Sequence, residues 1–426
     1  MQYEDDKKTE KLPAMLDYND KPVSSAVLSY RYYISPSNGG TFSSTISNGA
    51  VIRMEIPAAT QGHHLNPAET ALIFSVKNSS GSAMVLDGSA FAFIKNVQVF
   101  YGSTLISSID NYDCFATAMS DFSSSGAHYT RGVADLDAGA INARNGRTIA
   151  AGGSDTFSLP MVNLLGTLCQ KGLALSQLRD SIRVEFQFND IINSATYTTT
   201  PTGTLDFSNI KLWLTNVQIS SSVENALMKT LGGIVQTPCF DVENYRGSIG
   251  GNTTAFSYQI PVRVSSLTSV FFCLREGAVF NNFANRSLSR TGGNLKSYNF
   301  RCGSATIPSS PISCEGNGIE CRTELMRAMN AIGSAQSDSF ITSAVYNAGG
   351  ATAMATGAYG GRFYGLQLSA FAASELLSDG KNLKTGETLV LDLQFNAGGV
   401  QPLQLDVWCV FEKVLTIQQS VLTYKN

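Results

Sequence analysis

The sequence predicts an all-β protein of two tandem β-sandwiches, with a few short helices and long loops. Three features of the chain point that way. Charged residues are 15% of the 426 residues, against 43% hydrophobic and 10% aromatic, and Gly alone contributes 38. Few charges, many aromatics and many small turn-formers suit short strands joined by loops. Apolar and polar residues alternate with period two in several runs, the mark of half-buried strands. Finally, motifs of the first half recur in the same order in the second. This composition excludes a coiled coil, a collagen-like fibre and a wholly disordered chain. A net charge of −3 gives no global electrostatic case for binding nucleic acid. No apolar run approaches the ~18 residues that span a membrane.

Taken in order, residues 1–25 place Asp5, Asp6, Lys7, Lys8, Glu10 and Lys11 where a secretory signal would be apolar. They predict a mobile, mixed-charge N-terminal arm on a chain made and folded in a cytosol. Tyr30, Arg31, Tyr32 and Tyr33 read as an edge strand or arm contact rather than a base-stacking patch. Strands follow at 51–57, 70–76, 91–101, 181–189 and 210–219, then at 255–264, 268–275, 388–396 and 403–417. In 181–189, Ile182, Val184, Phe186 and Phe188 alternate with polar neighbours. Short helices are expected at 111–121, 222–231 and 319–332, and long Gly/Ala/Ser-rich loops at 122–154 and 333–362. Cys114, Cys169, Cys239, Cys273, Cys302, Cys314, Cys321 and Cys409 form no C-x-x-C pair. Without a secretory signal they are expected to be free thiols. On the same ground, the glycan-acceptor triplets at Asn78, Asn252 and Asn285 read as chance matches.

The repeat divides the chain. RVEFQFN at 183–189 parallels VLDLQFN at 390–396, matching Glu185 to Asp392, Phe186 to Leu393 and Phe188 to Phe395. Tyr101-Gly102-Ser103-Thr104 parallels Cys302-Gly303-Ser304-Ala305. Asp113-Cys114 and Glu320-Cys321 each open a short helix, where an acidic residue suits the N-terminus. Trp213 and Trp408, the only tryptophans, lie in the last strand of their halves. The domains expected are 26–230 and 231–426, joined by a helical stretch (VENALMKTLGG). Sandwiches of about eight strands with long loops are jelly rolls or related Greek keys, so each half is read as an eight-stranded jelly roll. Trp213, Trp408, Phe186, Phe188, Leu393 and Phe395 are the expected core residues. Asp113 and Glu320 are the expected helix starts after equivalent strands.

Three stretches carry a resemblance: FSLPMVNLLG with GLALSQLRDSIRVEFQFN (172–189), LWLTNVQISSSVENALMK (212–229), and GLQLSAFAASELLSDGKNLKTGETLVLDLQF (365–395) with VWCVFEKVLTIQQSVL (407–422). The sequence resembles the double jelly-roll major capsid proteins of the adenovirus-like lineage of icosahedral viruses, which includes large DNA viruses. It departs from them at Ser378-Asp379-Gly380-Lys381-Asn382, which has no preceding Pro, and at Leu178-Arg179-Asp180, which lacks an aromatic-His. The resemblance implies a structural protein of the virion, assembled in the host cytoplasm. Homotrimers would form pseudo-hexameric capsomers that tile the shell. The implied partners are neighbouring capsomers, minor capsid or penton proteins and an internal membrane, with no sequence-specific nucleic acid. The loops 122–154 and 333–362 would be towers or inter-subunit loops.

Candidate chemistry is thin. His63-His64 could form a metal clip or pH sensor, but no Cys or acidic pair stands at ligand spacing, so a polar loop is the plainer reading. The third histidine, His128, supports no triad, because no G-x-S-x-G elbow is present. The Gly-rich stretch 347–361 lacks the Lys of a P-loop. Glu185 and Asp392 read as outward or inter-strand polar positions. No catalytic residue, cofactor or metal is therefore assigned. Two alternatives remain open: a non-catalytic double-sandwich binding protein for carbohydrate or protein, and a single jelly-roll capsid protein with a protruding β-domain.

Overall fold

The computed structural model describes residues 27–59, 62–86, 90–122, 148–160, 172–332, 341, 343–347, 358–370, 380–397 and 401–425. The arm 1–25, His128 and most of the loops 122–154 and 333–362 lie outside the described residues.

The first half contains β1 (Val27–Ile34), β2 (Phe42–Ser44), β3 (Val51–Ile56), β4 (His63–Asn78), β5 (Met84–Leu86), β6 (Ile94–Tyr101), β7 (Thr104–Ile109), α1 (Tyr112–Asp121), β8 (Thr148–Ile149), β9 (Ser154–Pro160), β10 (Leu173–Ala174), β11 (Ile182–Phe188), β12 (Ala195–Tyr197) and β13 (Leu205–Ile219). Helix α2 (Ser221–Thr230) leads into the second half. There follow β14 (Ile234–Ile249), β15 (Ala255–Ile260), β16 (Leu267–Glu276), β17 (Leu295–Cys302), β18 (Ala305–Ser313), α3 (Ile319–Ala331), β19 (Tyr364–Gln367), β20 (Leu389–Phe395), β21 (Leu403–Gln418) and β22 (Val421–Lys425).

The sheet orders repeat. The first half pairs β1-β13-β4-β10 in one sheet and β3-β11-β6-β7 in the other; the second pairs β14-β21-β16-β19 and β15-β20-β17-β18. Both halves are therefore jelly rolls with the same strand order, which removes the reading of one jelly roll plus a different protruding domain. Strands β2, β9 and β22 extend the larger sheets, and β12-β5-β8 form a small third sheet. The alternation read in 181–189 holds: β11 buries Ile182, Val184, Phe186 and Phe188 and turns Arg183, Glu185 and Gln187 away. Leu393 and Phe395 lie buried at the same places in β20.

Local chemistry repeats with the topology. The β6–β7 and β17–β18 turns each have Gly first, Gly102 (φ 55) and Gly303 (φ 59), between the closing pairs Tyr101↔Thr104 and Cys302↔Ala305. A two-residue hairpin turn of this kind needs positive φ there, which Gly supplies without steric cost. Before α1 stands Asn111 (φ 49) and before α3 stands Gly318 (φ 63), both left-handed. Asn and Gly are the residues that adopt this conformation most readily. Glu185 and Asp392 sit on cross-strand pairs, Arg53 Nε to Glu185 at 3.0 Å and Arg301 Nη2 to Asp392 at 3.0 Å.

The inner faces form the cores. Phe188 stacks on Phe207 with ring centres 4.1 Å apart beside Phe74, and Phe272 stacks on Tyr364 at 4.6 Å beside Tyr298. Two expectations are corrected. Residues 90–93 form a 3-10 turn before β6 rather than strand, packing all four side chains inward. His63 and His64 belong to β4, opposite Gln218 and Val217 of β13, rather than to a loop. The seven described cysteines are all buried thiols.

Candidate assembly interface

The richest side-chain constellation lies where the two sandwiches meet. Strand β7 ends its sheet and lies against β14 and β21 of the second sandwich. Ser107 Oγ donates to Asp241 Oδ1 at 2.6 Å, and Lys413 Nζ donates to Asp241 Oδ2 at 2.6 Å and to the Ile106 carbonyl. Lys413 and Asp241 are buried. A buried cation and anion persist only when paired and hydrogen-bonded, as they are here.

Helix α1 lies on the outer face of the sheet that contains β14 and β21, the side of Asn244, Asp406 and Trp408. Asn111 Nδ2 donates to Asp406 Oδ1 at 2.9 Å and to Asn244 Oδ1 at 3.0 Å. Arg275 grips Asp406 Oδ2 through Nε at 2.9 Å and Nη2 at 2.6 Å. Burial works most strongly against the Arg275 charge, but Asp406 and the groups around it, Asp113 among them, together raise Arg275 above its ordinary range. At the helix end, Arg290 and Tyr359 bind Asp121 Oδ2, the tyrosine hydroxyl at 2.8 Å. Between these polar ends Phe115 reaches Trp408 (5.7 Å) and Phe271 (6.4 Å), and Phe122 stacks on Phe363. The face of β16 and β21 away from the core is thus buried by the other sandwich together with α3 of its own, whose Ala328 carbonyl accepts from Ser269 Oγ at 3.0 Å. This explains why every residue of β16 is buried, where one-sided burial would alternate.

A polar cleft of about 260 Å³ remains at this junction, lined by Asn111, Asp113, Asn189, Arg246 and Arg275 among others. Asp113 accepts from its neighbour's N–H at Cys114 and from Asn189 Nδ2 at 2.8 Å. Burial raises its carboxyl, and Arg275 works in the opposite sense. The cleft holds one acid beside fixed partners rather than a ligand cage. No group of three His, Cys, Asp or Glu side chains stands at metal-binding distance among the described residues. Glu320, the counterpart of Asp113 in α3, instead accepts from the Ser313 N–H at 2.9 Å. Both acids lie in the first turn of their helices and neither caps the end.

The expected core pair of tryptophans splits. Trp408 is 0% exposed, whereas Trp213 is 40% exposed. Trp213 stands between Leu212 and Leu214, both buried, so strand alternation turns it to the outer face of its sheet. There Arg31 lies over its ring at 5.9 Å, and Lys211 lies over Tyr33 at 4.7 Å. Trp408 also faces outward, opposite Phe271 on β16, but Phe115 of the first sandwich covers it. The two tryptophans are equivalent in place and differ in what lies over them. Tyr30 to Tyr33 form edge strand β1, and Tyr32 accepts from Asn216 at 3.3 Å.

No family model and no curated protein sequence matches the chain. Solved structures do. The PBCV-1 capsid protein VP54, as fitted into a reconstruction of the virophage Sputnik, is 10% identical with a TM-score of 0.62, covering 94% of this chain and 98% of that one. The Faustovirus major capsid protein is 8% identical with a TM-score of 0.55, over 96% and 93% of the two chains. The mavirus major capsid protein is 8% identical with a TM-score of 0.51, over 97% and 95%. The chain has the double jelly-roll fold of these capsid proteins over more than nine-tenths of its length.

Proposed function

We propose that this chain is a major capsid protein that self-assembles into pseudo-hexameric trimers, which tile an icosahedral virus shell. The observation that carries the reading is the match of fold. The match covers more than nine-tenths of this chain and of each capsid protein. Residues 26–230 and 231–426 are then its two jelly rolls, and 1–25 an arm that orders on assembly. Three copies place six similar sandwiches around one axis. Scarce charge suits this role, because the cores of obligate interfaces are depleted in charged side chains. The chain works without catalysis or cofactor, in the virion, after assembly in host cytoplasm. Its partners are its own copies and, at the shell, minor capsid or penton proteins and an internal membrane.

Light scattering on the purified full chain, with negative-stain imaging, tests this. The expected result is a particle of about three times the 45.6 kDa chain with a six-lobed outline, or closed shells. A monomer that never associates at any salt or concentration would overturn the reading.

A further inference from the structure

The contact inside the chain is head to tail. Helix α1 of the first sandwich seats on the outer sheet face of the second, and the edge strand β7 meets Asp241 and Lys413 farther along the same strands; neither meets its own counterpart. A heterologous contact between two copies of one motif uses a different face of each. It leaves the complementary faces open, one on each sandwich. Both open faces are present. On the first sandwich, the outer face of β1 and β13 presents Tyr33, 63% exposed, and Trp213. On the second, β18, the counterpart of β7, ends its sheet and exposes Ala305, Thr306 and Ser309 to Pro311. Beside it, α3 turns outward Ile319, 71% exposed, along a groove of about 650 Å³ that Thr323, Met326 and Arg327 also line.

We propose that the Tyr33–Trp213 face of one copy docks onto β18 and α3 of a second copy, repeating between chains the contact made within each chain. Trp213 then becomes covered as Trp408 already is. Continuity with the internal interface identifies the occupant: the surface that buries Trp408 has one structural counterpart, and it lies on β18 and α3. The inference rests on the self-assembly reading and adds which faces meet.

The test uses the full chain with Trp408→Phe, so that Trp213 is the sole tryptophan. Acrylamide quenching of its emission is measured in the assembly and after dissociation by dilution. Trp213 should be quenched freely in the dissociated chain and protected in the assembly. Equal quenching in both states, or protection already in the dissociated chain, would overturn the proposal. In parallel, Trp213→Glu and Ile319→Glu should each hold the chain at 45.6 kDa with an unchanged circular dichroism spectrum. An equimolar mixture of the two should give one-to-one dimers, because each keeps the face that the other has lost. Wild-type assembly by either variant alone would overturn the inference. A wild-type chain that never leaves 45.6 kDa would instead overturn the self-assembly reading beneath it.

Discussion

Trp213 and Trp408 show how one residue type at equivalent places acquires different energetics. Trp408→Ala removes a fully buried ring from between Phe115 and Phe363, and should cost about 3–5 kcal/mol in denaturant unfolding. Trp213→Ala removes a half-exposed ring and should cost the unassembled chain less than about 1 kcal/mol. Equal losses would show that Trp213 is buried in solution. His64 gives a pH signature. Burial lowers it below its ordinary 6.5, against the attraction of Glu224 and with the repulsion of His63. The unfolded chain then binds more protons than the folded one as pH falls below about 6.5, so stability should drop there. His64→Gln should flatten that part of the profile of melting temperature against pH; an unchanged slope would show that His64 contributes nothing to it.

Among the elements, the helix starts carry the clearest repeated geometry. Asn111 and Gly318 hold the same left-handed turn, but Gly318 has a second constraint: a Cβ there would meet Arg362 Nη1 at 2.7 Å. Gly316 has the same φ of 63 and open space around it. Gly316→Ala should therefore cost about 1–2 kcal/mol, the penalty of a left-handed Cβ. Gly318→Ala should cost more, because Arg362 must also leave its bonds to Asn347 and the Cys314 carbonyl. Equal melting shifts for the two variants would show that Arg362 moves freely. The acids Asp113 and Glu320 were legible as helix openers. Their roles were not: Asp113 is held by Asn189, far along the chain, and Glu320 by the Ser313 N–H just before its own helix.

For the whole molecule, the buried junction predicts cooperative unfolding. Asp241, Asp406 and Trp408 of the second sandwich depend on Ser107, Asn111 and Phe115 of the first. Calorimetry of the unassembled chain should show one transition, and residues 231–426 alone should not hold the fold. Two separated transitions would show that the junction contributes little to either half.

The sequence by itself determined the fold class, the duplication and the strand faces, because period-two burial and turn glycines are local consequences of backbone geometry. Phe186, Phe188, Leu393 and Phe395 were readable in this way. Which outward faces are covered was decided only by tertiary structure. Trp213 and Trp408 carry the same local signal, and one is buried because a helix from the other sandwich lies on it. The His63-His64 segment joined a strand for the same kind of reason: β13, more than a hundred residues later, supplies its hydrogen bonds. Contacts between segments so far apart leave no periodic trace in the chain, so the surfaces that would build an assembly appear only once both sandwiches are in place.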